Sequence, residues 1–180
     1  MGVRVNLGSH TNPMKGYVNV DIYPWDGVDR IMDLERPPWN FEDSSVGEVR
    51  AIHIIEHLGK LTKVEILAEL ARICKPGAKV LISVPCATHR TALQSIQHAH
   101  TFYFHSFLPS YAQPYFYIIK MVCTVFGVRV PFVTPFHRLL RILGYFKMVE
   151  LLEWELERHN EDKRWASAAG TPDEIIEKRD

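Results

Sequence analysis

The stretch VRVNLGSHTNPMKGYVNVDIYP, Val3 to Pro24, constrains this chain more than any other. Val3, Val5 and Leu7 form a short apolar, β-favouring run, and Gly8 and Ser9 break it. Tyr17, Val18 and Val20 begin a second run that Asp21 closes. A glycine at the carboxyl end of a first strand lets backbone amides approach a ligand closely. An acid at the end of the next strand can accept from two ribose hydroxyls. Together they point to nucleoside recognition on an open α/β sheet. The link from Gly8 to Gly16 is only nine residues long and contains Asn12 and Pro13. A parallel crossover normally needs a dozen or more, with a helix, and Pro13 opposes one. The first crossover is therefore expected to be a shortened loop or a single helical turn.

Further along, Val28 to Met32 reads as a third strand followed by Asp33 and Leu34. Val46 to Ile55 reads as a fourth, its near-continuous apolar run suiting burial on both faces. Glu56, His57 and Leu58 lie at its carboxyl end. Lys60 to Cys74 carries Leu61, Val64, Leu67, Leu70 and Ala71 at helical spacing. Thr62 and Glu65 form a capping box for it, and Pro76 and Gly77 stop it. Lys79 to Val84 is the fifth strand. Residues 86 to 113 are polar and aromatic, with four of the nine histidines between His89 and His105. Pro114 to Phe126 is expected to be an apolar helix, Arg138 to Leu143 a short helix, and Phe146 to Glu157 a late strand. Asp173 to Arg179 could add an edge strand.

Composition narrows the function classes. In 180 residues, Lys plus Arg and Asp plus Glu both number 21, so there is no global electrostatic footprint for nucleic acid. Cys74, Cys86 and Cys123 are odd in number and scattered, which argues for a reducing, cytoplasmic setting rather than a disulfide framework. No signal peptide is visible at the N-terminus. The most apolar window, 114–136, is cut by Lys120, Arg129, Pro131 and Pro135, too often for a transmembrane span.

The order strand–LGS, strand–D, strand–DL, strand–EHL, helix–KPG–strand resembles the class I S-adenosylmethionine-dependent methyltransferases. Within them it resembles the small type 11-like predicted methyltransferases that often accompany sugar-modifying enzymes. The matching pieces are VNLGSHTNPMKGYVNVDI, VDRIMDL, FEDSSVGEVRAIHIIEHL and LAELARICKPGAKVLISVP, with HAHTFYFHSF and GYFKMVEL beyond them. The resemblance implies one Rossmann-like α/β domain over residues 1–180. Its sheet would be mostly parallel and of the seven-stranded type, with helices on both faces and a shortened first crossover. The implied cofactor is S-adenosyl-L-methionine and the implied partner a small-molecule acceptor, plausibly a sugar or glycan precursor. Leu7, Gly8 and Ser9 would then lie along the methionine part of the cofactor. Asp21, with Ile22 beside it, would hold the ribose. Asp33 and Leu34 would face the adenine, and Ile55, Glu56 and His57 would border the methyl group. The family usually carries a second glycine where this chain has His10, which would crowd, stack on or bond to the cofactor.

Methyl transfer needs alignment of the acceptor and, for a hydroxyl or protonated amine, a base. His57, with Glu56 beside it, is the first candidate, and His100 and His105 follow. Equally, Glu56 and His57 could simply open a helix, and His98, His100 and His105 could be lid residues. Cys86, His89, His98, His100 and His105 offer ligand types, but their spacing fits no familiar zinc pattern, so no metal is expected. With the first strand at Val3, acceptor recognition is expected to fall to a covering segment, 86–140, whose aromatics Phe102, Tyr103, Phe104, Phe107 and Tyr111 suit stacking. The window 114–136 serves as core or lid, as an acceptor pocket, or as a peripheral membrane contact. Two rivals stand. A degenerate fold would bind a nucleoside or a protein without catalysis. A nicotinamide oxidoreductase would need G-x-G-x-x-G where this chain has G-S-H-T-N-P. Nothing in the sequence sets the oligomeric state.

Overall fold

Val5, Leu7 and Val20 are fully buried, which ties the two opening strands into the middle of the molecule. In the computed structural model, which describes residues 2–103, 106, 115–125, 128–131 and 149–159, β1 (Val3–Leu7) and β2 (Val18–Asp21) pair in parallel, with Val5 opposite Val18 and Leu7 opposite Val20. The other strands are β3 (Arg30–Ile31), β4 (Val46–Ile52), β5 (Cys74–Pro85), β6 (Phe116–Val125), β7 (Val128–Pro131) and β8 (Val149–Arg158). They form one sheet in the order β3-β2-β1-β4-β5-β8-β6-β7. The first five run parallel, and β8 enters antiparallel between β5 and β6. The strand order reverses between β1 and β4, so the crevice beyond their carboxyl ends is where an open α/β sheet takes a ligand.

The first crossover is a loop, as expected, and two buried asparagines hold it. Asn6 of β1 and Asn19 of β2 are each 5% exposed. The Asn6 amide nitrogen donates to Asn19 Oδ1 at 3.0 Å and to the Asn12 carbonyl at 3.3 Å. Asn19 Oδ1 also accepts from the Met14 amide at 2.7 Å, and its nitrogen donates to Asp29 Oδ2 at 3.0 Å. A helix would satisfy this backbone internally; here side chains do so.

Helical cover among the described residues comes from α1 (Lys63–Ile73) and the five-residue α2 (Arg90–Gln94). The capping box is present: Thr62 Oγ1 accepts from the Glu65 amide, and the Glu65 carboxylate accepts from the Thr62 amide. Ile66, Leu67, Leu70 and Ile73 are buried almost completely, each contributing about 1.5–3 kcal/mol relative to exposure. No helix among the described residues is long and apolar enough to cross a membrane.

Four expectations are corrected. The fourth strand ends at Ile52, not Ile55, because His53 adopts φ 53° and turns the chain into a 3₁₀ turn, Ile55–His57. The third shrinks to Arg30–Ile31. β5 begins at Cys74 rather than Lys79. Cys74 pairs with Val46 and Lys79 with Glu48, so the KPGA residues form a bulge, with Gly77 at φ 74°. Lastly, Pro114 to Phe126 is not a helix: Phe116–Val125 is β6, paired with β8 on one side and β7 on the other. Its register shifts between Ile118 and Lys120, leaving Ile119 unpaired and 54% exposed. That extra residue breaks the period-two alternation and makes the apolar positions mimic helical spacing. A strand paired on both sides offers no amphipathic helix face to a membrane. His105, Phe104, Phe107, Tyr111, the helix at 138–143 and the edge strand at 173–179 lie outside the described residues.

The chain after β5 returns to the sheet. Cys86 and Phe102 form a parallel bridge. Phe102 is fully buried against Trp154 of β8, with ring centroids 6.5 Å apart. The Ala99 and His100 amides donate to the Glu56 carbonyl at 2.8 and 3.0 Å. This brings residues 86–103 against the end of β4.

Asn19→Ala would leave the Asn6 amide and the Met14 N–H without their buried acceptor. We expect a loss of about 3 kcal/mol, read as a lower urea midpoint at unchanged slope.

Candidate active site

Gly8 leaves β1 at φ 67°, a conformation that costs a residue with a Cβ about 1–2 kcal/mol. The Ser9 amide donates back to the Val20 carbonyl at 3.0 Å, which holds the loop against β2. His10 follows at φ 45°, the left-handed backbone a glycine would supply. The His10 ring is exposed and rests on Trp25, with centroids 4.8 Å apart. It is not among the residues that line the cavity between Gly8 and Asp21. Its amide donates to Asp21 Oδ2 at 2.9 Å, and the Tyr23 amide donates to Asp21 Oδ1 at 3.1 Å. Each carboxylate oxygen of Asp21 therefore spends one acceptor position on the backbone and keeps another. Asp33 accepts from the Glu35 amide at 3.0 Å through one oxygen and pairs with Arg36 at 3.0 Å through the other.

These groups surround a first cavity of about 160 Å³. Gly8, Asp21, Ile22, Asp33, Leu34 and His57, all singled out in the sequence, line it. Leu7 and Ile55 are instead packed into the core, at 0% and 1% exposed. Ser9 is buried beside the loop, with its Oγ unpartnered among the described residues. The sequence reading missed Met32, Glu35, Ile54 and Leu58, which also line the cavity. Ile54 takes the place expected of Ile55 because β4 ends early.

A second cavity of about 640 Å³ opens on the other side of His57. Glu56, His57 and His98 line it, with His53, Gln94 and Ser95 among those the sequence reading missed. Glu56 is 1% exposed. His53 Nδ1 lies 3.3 Å from Glu56 Oε1. This carboxylate raises the His53 pKa above its ordinary value, outweighing the opposite pull of burial. His57 Nδ1 lies 3.2 Å from the Gln97 carbonyl, so it carries the proton and Nε2 is left to act. His100 lines neither cavity. Its Nε2 lies 2.9 and 2.8 Å from the Leu58 and Leu61 carbonyls, which makes it a brace for the turn before α1. The cysteines are free and buried, and burial pushes the Cys74 and Cys123 thiols up to about 12, so neither is a ready nucleophile.

No protein-family model and no curated protein matches this chain. Solved structures do. An S-adenosylmethionine-dependent methyltransferase of Thermotoga maritima aligns at TM-score 0.63 and 15% identity, over 89% of this chain and 83% of its own. One from Archaeoglobus fulgidus aligns at TM-score 0.59 and 14% identity, over 87% and 86%. The geranyl diphosphate C-methyltransferase of Streptomyces coelicolor, solved with Mg²⁺, geranyl diphosphate and S-adenosyl-L-homocysteine, aligns at TM-score 0.59 and 10% identity, over 88% and 73%. At these identities the likeness establishes the fold: a Rossmann-like α/β fold of the class I methyltransferase type.

A Cβ placed on Gly8 would fall 2.7 Å from the Ile54 side chain. Gly8→Ala is therefore expected to lower the melting temperature. Adding Ile54→Ala should recover only the part due to Ile54 Cγ1 and Cδ1, leaving the contact with its Cβ at 2.7 Å and the backbone strain. Strict additivity of the two losses would contradict the contact.

Proposed function

We propose that this chain transfers a methyl group from S-adenosyl-L-methionine to a small hydroxylated acceptor, with a sugar or glycan precursor as the class. One observation carries the reading: His57 lines both cavities, so a group in the first meets a group in the second beside one imidazole. The first cavity suits a nucleoside. Asp21 keeps two acceptor positions for ribose hydroxyls, Asp33 can accept from the adenine amino group, and Ile22, Met32 and Leu34 give apolar walls. Leu7, Gly8 and Ser9 offer backbone to the amino-acid end, with His10 shaping the loop. The bound cofactor supplies an already activated methyl. The protein's part is to align the acceptor, exclude water and let His57 and Glu56 activate the attacking group. The polar wall of the second cavity, with His53, Gln94 and Ser95, supports a hydroxylated acceptor. Within a single domain, residues 86–103 form its cover, supplying His89, Gln94, Ser95 and His98, whereas β6 and β7 belong to the sheet, and the free cysteines support a cytoplasmic setting.

The first cavity, at about 160 Å³, is smaller than the roughly 300 Å³ at which ligand pockets begin. Ile54 occupies the space over Gly8, and on this reading it turns aside as the cofactor enters. That crowding also favours a second reading, a nucleoside-binding module that performs no transfer.

Titration calorimetry with S-adenosylmethionine and S-adenosylhomocysteine, against NAD, tests the proposal. Micromolar affinity for the first two and none for NAD is expected; no binding of either overturns it. Binding without methyl transfer to any acceptor in a broad hydroxyl screen favours the second reading. Asp21→Ala should weaken cofactor affinity by roughly 100-fold, through two lost charge-assisted hydrogen bonds. His57→Ala should slow turnover about 100-fold with cofactor affinity little changed.

A further inference from the structure

The second cavity contains more ligand chemistry than acceptor binding requires. Glu56, His57 and His98 each offer one ligand atom, and the three atoms lie within 4.8 Å of one another. Glu56 is 1% exposed, yet its Oε2 finds no hydrogen-bond partner among the described residues. A buried carboxylate oxygen left unpaired is costly, so the site is built for something that fills that position.

The two imidazoles are held in one matching state. His57 Nδ1 lies 3.2 Å from the Gln97 carbonyl, and His98 Nδ1 lies 3.0 Å from the Ala92 carbonyl. A carbonyl can only accept, so each Nδ1 donates and Nε2 is the ring nitrogen left for a ligand. Histidines that ligate metals show this arrangement, with the second nitrogen anchored on a carbonyl or carboxylate. The rings meet edge to face, with centroids 4.7 Å apart.

The backbone enforces the grouping. The 3₁₀ turn Ile55–His57 presents Glu56 and His57 in succession. The Glu56 carbonyl accepts from the Ala99 and His100 amides, which brings His98 in from a distant part of the chain. His53 holds the other carboxylate oxygen, Oε1, and so orients Glu56. The spacing His53-x-x-Glu56-His57 is one that zinc peptidases carry on a helix. Here it straddles a strand end and a 3₁₀ turn, so it builds a different ligand set.

We propose that Glu56, His57 and His98 bind a divalent transition-metal ion of the zinc class, with an open position facing the second cavity. Two imidazoles and one carboxylate suit zinc, cobalt or iron(II) rather than magnesium or calcium. Tetrahedral ligands at about 2.05 Å from zinc lie about 3.4 Å apart, so small side-chain rotations close the set. The ion binds whether or not the chain transfers methyl groups. Its use rests on the methyl-transfer reading: an acceptor hydroxyl at the open position would be more acidic and would release its proton to water, with His57 a ligand rather than a free base.

The test is titration of the full chain, stripped with chelator and dialysed, with Zn²⁺ by calorimetry and with Co²⁺ by visible absorption, both without cofactor. One ion per chain at micromolar affinity or tighter is expected, with cobalt bands of a low-coordinate nitrogen–oxygen site and no competition from millimolar Mg²⁺. His98→Ala and Glu56→Gln should each weaken Zn²⁺ by about tenfold or more, and His10→Ala should not. Circular dichroism of each variant checks folding, and His98→Ala alone suffices should Glu56→Gln not fold. Absence of binding, or affinity unchanged by His98→Ala, would overturn the site. A chain that takes up no Zn²⁺ yet transfers methyl groups from S-adenosylmethionine would show that this inference failed and the methyl-transfer reading did not.

Discussion

Two buried asparagines, Asn6 and Asn19, do the structural job that a crossover helix does in most parallel α/β units. Their side chains bond to each other and to the backbone at Asn12 and Met14, so a nine-residue loop joins two parallel strands with side chains in place of helical hydrogen bonds. Each lies two residues before a site group: Asn6 before Gly8, Asn19 before Asp21. Fixing the loop therefore fixes the spacing of the glycine turn against the acid. The His10 amide completes the arrangement by donating to Asp21. The left-handed backbone at His10 shows why a non-glycine residue is tolerated there: its side chain has Trp25 to rest on.

The other half of the site depends on how β4 stops. His53 turns out of the strand in a left-handed conformation, and the following 3₁₀ turn buries Glu56 while leaving His57 half-buried. From that turn His57 lines the first cavity on one side and the second on the other. The returning segment reinforces the turn at three points. Two backbone amides bond to the Glu56 carbonyl, the Gln97 carbonyl lies against His57, and His100 braces the Leu58 and Leu61 carbonyls. The histidines of this segment thus divide between bracing the fold and facing the cavity.

In the parallel half of the sheet, the carboxyl ends of β1, β2 and β5 were legible in the sequence because each has a clear signal: Gly8 after Leu7, Asp21 after Val20, and Pro85 after Val84. The first-cavity residues Gly8 and Asp21 could be read from the same signals, and Ile22, Asp33 and Leu34 from the family resemblance. What failed was register. A positive φ at His53 and the bulge at Ile119 are tertiary events with no local sequence mark, and each shifted an assignment, Ile55 for Ile54 in one case and helix for strand in the other. The grouping of His57 with His98 was illegible for the same reason. Their side chains meet only because residues 86–103 fold back on the Glu56 carbonyl.

The central claim is that the two cavities meet at His57 as nucleoside side and acceptor side. A crystal structure of the chain with S-adenosylhomocysteine tests it most directly. The account predicts ribose hydroxyls on the Asp21 carboxylate, the adenine between Ile22 and Leu34, Ile54 turned off Gly8, and the sulfur facing His57 at the mouth of the second cavity. A nucleoside seated elsewhere, or a sulfur directed away from His57, would contradict it.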